Sequence, residues 1–320
     1  MTRSIPALLL LAAIACGEKP EPMYGDGGAS DSDADTEIDF DCATVPTPPF
    51  SFNTITNVVS GEDFVFDDEG NLIGMEGGSL FKSTKTGGST LWVASAGCVS
   101  GLRALPSGDV VCNGSDTLVY IDGETGAATT VATSLAYPNG IEVDLRGYAY
   151  VSEQSSGEVT KIDPVTGETW TIATGLNAPN GLTFSPDYRT LYVGSFCGGS
   201  IYKIEFDAAG QPGPASVFIS ASDPDGVAGG MTGCFDGMGV DCCGNVYVCD
   251  YGIIRVYRIS PDGGTIEIAA DLGSASSWIP NMQWGSGLGG WDDMNLYVID
   301  ISSAVYEIPV GVPSKYREYP

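Results

Sequence analysis

Short apolar segments rich in Val, Ile, Tyr and Phe alternate along the chain with tight turns that contain Gly. One stretch shows the pattern at its clearest: "GIEVD" from Gly140, then "YAYVSE", "EVTKIDP" and "TWTIAT", divided by "LRG", "SSG" and "VTGE". Period-two segments joined by short turns with Gly predict antiparallel strands linked as hairpins. Four such strands make one unit.

The unit recurs. "EDFVFDDEGNLI", "SGLRALPSGDVV", "NGIEVDLRGYAYV", "NGLTFSPDYRTLYV", "DGMGVDCCGNVYV" and "NMQWGSGLGGWDDMNLYVI" align, with second residues Asp63, Gly101, Gly140, Gly181, Gly237 and Met282. Six units of about forty residues, each a four-stranded antiparallel sheet, predict an all-β, six-bladed β-propeller. The sixth unit has three clear strands, ending at "AVYEIPV", while "FSFNTITNV" from Phe50 is a lone strand ahead of the first. The N-terminal strand is expected to complete the last blade, since that closure removes a free sheet edge.

Composition narrows the function classes. Abundant Gly and few charged residues fit an all-β chain. A formal net charge of −28 opposes nucleic-acid binding and favours cationic partners such as divalent metal ions. The chain has no histidine, which excludes an imidazole base, a Ser-His-Asp triad and a His-rich zinc site.

The residue before each aligned anchor is Glu62, Ser100, Asn139, Asn180, Asp236 or Asn281, and every one carries a side-chain oxygen. The first strand of each propeller blade lines the central channel, so this column predicts a ring of oxygens at one channel mouth. Carboxylates and amides gathered there without Lys or Arg repel one another or go unsatisfied. A hard cation answers both problems, and mixed oxygen ligands suit Ca2+, with another divalent cation as the alternative. A second column, Glu153, Ser195, Asp250 and Asp300, ends the second strands and is expected to rim the same face, where it either contacts substrate or solvates the rim.

The N-terminus carries an address. "MTRSIPALLLLAAIACGEKP" has a basic start, an apolar run and small residues before Cys16, the pattern of a signal peptide too short to span a membrane. "AIAC" resembles the lipobox of bacterial lipoproteins, which implies a signal peptide over 1–15 and lipidation at Cys16. Residues 16–46 are acidic and poor in bulky apolar side chains, as expected of a flexible tether, leaving 47–320 for the propeller. Gly17 after the lipidated Cys implies, by the same resemblance, an exported lipoprotein of the outer membrane, on its periplasmic or cell-surface side.

"APNGLTFSPDYRTLYVGS", "CFDGMGVDCCGNVYVCD" and "GEDFVFDDEGNLIG" resemble the gluconolactonase, regucalcin (senescence marker protein) and luciferin-regenerating enzyme family of six-bladed propellers. The resemblance implies a catalytic divalent ion held by Glu62, Asn139, Asn180 and Asp236, with Asp236 also the general base or nucleophile. It further implies a small-molecule lactone or ester substrate; from their columns at the channel mouth, Asn281, Glu153, Asp250 and Asp300 are the expected substrate contacts. Contact with a membrane would come only through the lipid, and the chain is expected to act as a monomer. Gly239 stands where some relatives carry another acid. About fifteen extra residues separate the fourth and fifth units, and the insertion at 208–234 is expected over the channel mouth.

Beyond Cys16 there are eight cysteines, an even number that suits disulfides in an exported chain. Position relative to the anchors pairs Cys98 with Cys112 and Cys234 with Cys249, and Cys197 competes for Cys234. The expected activity is calcium-dependent hydrolysis of a lactone or ester. The alternative is a non-catalytic propeller that binds a glycan, peptide or protein partner and keeps the metal for structure.

Overall fold

In a computed structural model of the chain, residues 40–221 and 230–315 are described, together with the main chain of Ala15–Cys16. The signal peptide, most of the tether and the side chain of Cys16 lie outside these residues. The aligned units are six four-stranded antiparallel sheets, each ordered from an inner to an outer strand. The third unit forms Pro138–Val143, Ala149–Glu153, Glu158–Ile162 and Thr169–Ala173, paired in that order.

The turns after the inner strands have a local chemical cause. In "DDEGN", "DLRGY" and "DCCGN", the Oδ1 of Asp67, Asp144 and Asp241 accepts two main-chain N–H groups of its own turn. Three residues later Gly70, Gly147 and Gly244 take φ of 79°, 82° and 83°. Asp thus caps the turn and Gly supplies the left-handed residue, which together set the hairpin register.

The sixth blade is closed as the sequence predicts. Asn53–Thr56 pairs antiparallel with Ala304–Ile308, outermost of a sheet that begins with Met282–Trp284 and Leu296–Asp300. Trp291 seals the seam between the last blade and the first: fully buried against Phe66 and Tyr297, it donates Nε1–H to the carbonyl of Gly70 at 3.0 Å. The apolar core is distributed between neighbouring blades, as in the cluster of Tyr150, Phe184, Tyr188 and Phe206.

Past the last strand, the C-terminal segment crosses the far end of the channel. Lys315 N–H donates to the Val240 carbonyl at 2.9 Å, and its ammonium meets Glu142 at 3.0 Å and Thr183 at 3.1 Å. The carbonyl of Val312 accepts from Trp284 Nε1 at 2.8 Å. These contacts reach the third, fourth, fifth and sixth blades.

Cys98 is bonded to Cys112, as expected. Cys234 is bonded to its competing partner Cys197, so the expected pairing with Cys249 is overturned. Cys234 sits opposite Tyr251 rather than Cys249, and the Cys249 side chain enters the core between the fifth and sixth blades as a buried free thiol. Cys42 is bonded to Cys243. Part of the insertion at 208–234 is ordinary blade: Ser216–Ser220 is the outer strand of the fourth sheet. The additional length lies between Ser220 and Phe235, with 222–229 outside the described residues.

Candidate functional site

The oxygen column is built by bulges. In the third, fourth and fifth blades, Pro138, Pro179 and Phe235 pair with Glu153, Ser195 and Asp250, and the register then skips to Ile141, Leu182 and Met238. A bulge at this position leaves two residues outside the ladder and re-aims their side chains. The skipped residues are Asn139-Gly140, Asn180-Gly181 and Asp236-Gly237. Tyr137 and Ala178, just before the prolines, take φ of 58° and 45° and turn the chain into the bulge.

Glycine follows each of these oxygen ligands because the next blade arrives there. A Cβ at Gly101, Gly140 or Gly181 would collide with the main-chain carbonyl of Asn139, Asn180 or Asp236, and one at Gly237 with Asn281. Each inner strand therefore rests on the ligand residue of the next. Gly181→Ala is expected to displace Asp236 and to lower stability by about 2 kcal/mol. Urea denaturation measures the loss; an unchanged stability would show that the contact does not hold the two blades together.

Asn180 and Asp236 are 2% and 5% exposed, and Glu62, half-buried, stands close enough for its charge to act on Asp236. Burial, helped by the charge of Asp63, raises the Glu62 carboxyl to about 7. Asp236 is pushed well above the usual carboxylate range, first by burial and then by the charges of Glu62 and Asp63, with the Asn180 amide as its opposing hydrogen-bond donor. The structure thus brings Glu62, Asn180 and Asp236 into one electrostatic unit. Asn139 starts the adjacent inner strand, its side chain half-buried and its carbonyl accepting from Asn113 Nδ2 at 2.8 Å.

Asp63 has a separate role. It occupies the anchor position held by Gly in the next four blades, and its fully buried carboxylate accepts from Arg103 at 2.8 Å, Leu102 N at 2.7 Å and Phe64 N at 2.8 Å. Its place in a glycine column was the available sequence signal. Lys315, the other cation buried in the channel, pairs with Glu142. Neither cation is paired with Glu62 or Asp236.

The second column does not converge on these acids. Glu153 accepts from Ala136 N at 2.6 Å and from Thr160. Asp250 accepts from Thr232 N and Oγ1 and from Gly252 N. Asp300 is engaged by Ser276 and Ser302, and Ser195 donates to the carbonyl of Asn177. These side chains fasten loops. In the first column, Ser100 donates to the Pro138 carbonyl at 2.9 Å, and Asn281 Oδ1 accepts from Met282 N at 2.8 Å.

Among the described residues the acid pair therefore meets no side-chain counter-charge, while an amide able to offer oxygen stands next to it. Two desolvated carboxylates in that state fit a hard divalent cation, which lets both ionise. Their all-oxygen donor set fits Ca2+ better than zinc.

No curated protein sequence matches the chain. A calcium-binding regucalcin from Agrobacterium tumefaciens has a similar structure, with a TM-score of 0.66 and 21% identity over 85% of this chain and 97% of that one. A gluconolactonase from Xanthomonas campestris gives 0.63 and 17% over 82% and 90%, and a luciferin-regenerating enzyme 0.63 and 15% over 82% and 97%. These likenesses show the shared propeller fold. Residues 73–275, more than half of the chain, match the family described as "SMP-30/Gluconolactonase/LRE-like region", and the chain belongs to that family.

Proposed function

We propose that the chain is an exported, calcium-dependent hydrolase of a lactone or ester, with Glu62, Asn139, Asn180 and Asp236 holding the ion. The observation that carries this reading is the close pair of acids, the buried Asp236 and the half-buried Glu62, which among the described residues meet no cationic side chain. A bound calcium ion would supply Lewis-acid activation of the substrate carbonyl. Asp236 accepts the proton of the attacking water and returns it to the leaving alkoxide as the ring C–O bond breaks. Asn180 orients the Asp236 carboxylate, and Glu62 adds the second negative charge of the site. Lys315 meets Glu142 towards the far end of the channel, and substrate is taken to approach from the Asp236 side.

The reading is tested by pH-stat hydrolysis of δ-valerolactone with calcium and with a chelator, alongside calorimetric calcium titration. Turnover that disappears with the chelator and returns with calcium is expected. Calcium binding without turnover of any lactone or ester supports the non-catalytic propeller instead, and no calcium binding removes both readings.

The pH dependence has a defined sign. Glu62 is raised from 4.5 to about 7, so its contribution to the stability of the calcium-free protein is fully present below about pH 4.5 and lost as pH rises through 7. Asp236, also raised, acts in the same direction. Calcium requires both groups ionised, so its apparent affinity should fall as pH drops below 7, by up to about tenfold per pH unit for each proton displaced. An affinity that is flat between pH 5 and 7 would remove these acids from the site.

Export and lipidation at Cys16 belong to the same proposal, as does the outer-membrane location. Support comes from the lipobox-like "AIAC" and from Cys42, bonded to Cys243 in the turn at the end of the inner strand away from Asp236. Such an attachment would leave the catalytic mouth facing away from the membrane. Mass spectrometry of the N-terminal peptide should find a diacylglycerol thioether at Cys16; an unlipidated Cys16 held in a disulfide overturns this part.

A further inference from the structure

The rim around the oxygen ring is apolar to a degree that neither metal binding nor hydrolysis requires. Tyr137, two residues before Asn139, is 59% exposed, and Trp278, three before Asn281, is 47% exposed. Val99, just before Ser100, and Ile301, just after Asp300, are exposed as well.

Phe196 and Tyr251 follow the second strands of the fourth and fifth blades, half-buried. Their N–H groups donate to the carbonyls of Ala178 at 2.8 Å and Cys234 at 2.9 Å, two residues before Asn180 and Asp236. The rings continue in a row: Phe196 to Tyr251 at 5.3 Å and Tyr251 to Trp278 at 5.9 Å between centroids. The Tyr251 phenol is held above its usual range, first by burial and then by the charges of Asp236 and Glu62, in keeping with its place beside the acid pair.

The polar side chains that could have contacted a hydroxylated substrate on this rim are occupied. Glu153, Ser195, Asp250 and Asp300 are engaged with the loops of the same face. A polyhydroxylated lactone would lose water from its hydroxyls and find few free partners, whereas a flat apolar group would meet three aromatic rings.

We propose that Phe196, Tyr251 and Trp278 form a stacking wall that selects lactones or esters bearing an aromatic or other flat apolar substituent over polyhydroxylated ones. This rests on the hydrolase reading above. The wall adds binding to the substituent while leaving the reacting carbonyl to Asp236 and the ion, so Trp278 is a specificity residue.

The test uses the full chain loaded with calcium and three probes: δ-valerolactone, a phenyl-substituted δ-valerolactone and glucono-δ-lactone. The phenyl lactone is expected to have the highest kcat/KM, mainly through a lower KM. Trp278→Ala should reduce the ratio of kcat/KM for phenyl over plain lactone roughly fivefold to tenfold, and Phe196→Ala should act in the same direction. Melting temperature and calcium affinity, measured on each variant, report that the fold and ion site are intact. An unchanged ratio in both variants, or a preference for glucono-δ-lactone, overturns the proposal. If no probe is turned over, the hydrolase reading fails separately, and calorimetric binding of the phenyl lactone decides the wall: weaker binding to Trp278→Ala supports it, and equal or absent binding overturns it.

Discussion

Asp236→Asn is expected to lower lactone hydrolysis by about a thousandfold or more at saturating calcium, since general-base contributions reach about 10^4. The substitution keeps the side-chain volume and one oxygen able to face the ion, but removes the proton acceptor. Calcium affinity should fall less than activity, because Glu62 and the asparagines remain. The calcium-free protein should become more stable near pH 8, because the variant no longer buries an ionisable acid beside Glu62. Activity, calorimetric affinity and melting temperature therefore move in three different ways. More than a tenth of the activity retained at saturating calcium would remove Asp236 as the base.

Arg103→Met should cost about 3–5 kcal/mol of unfolding free energy, the largest stability effect expected of a single change in the channel. The guanidinium is the cationic partner of Asp63, whose carboxylate is fully buried, and methionine would leave that charge uncompensated. Asp63→Asn combined with Arg103→Met should recover part of the loss, since Asn removes the uncompensated charge and its single amide oxygen can accept from either Leu102 N or Phe64 N, which Asp63 meets with different oxygens. Urea denaturation of the single and double variants measures the coupling. A single-variant loss below about 1 kcal/mol would show that water or another group replaces the guanidinium.

Most of the architecture was legible because it is written locally. An Asp that caps its own turn and a Gly three residues later give the hairpins at Asp67, Asp144 and Asp241, and repetition gives the number of blades. The Pro-Asn-Gly stretches were also legible, although their physical reason emerged only from the folded chain. The Gly is where the next blade's carbonyl arrives, and the bulge aims the Asn.

The second column was legible as a pattern while its role was not. Glu153, Asp250 and Asp300 have the right residue types at the right strand ends, yet Ala136, Thr232 and Ser276 engage them. A repeat alignment gives no sign that a loop residue will fold back onto a strand end. Cys234 was ambiguous for a related reason, since both candidate partners lay nearby in sequence and only the side on which Cys249 points excluded it.

The sequence by itself determined the strand period, the sixfold repeat, the closure by the N-terminal strand and the ring of oxygen-bearing residues, all carried by short-range patterning. The tertiary structure decided which of those oxygens lack partners. Asp63 and Glu142 receive cations from Arg103 and Lys315, residues distant in sequence, whereas among the described residues no cation reaches Glu62 or Asp236. Whether a buried charge is compensated depends on which blades and tails meet around it, and that is fixed only when the ring closes.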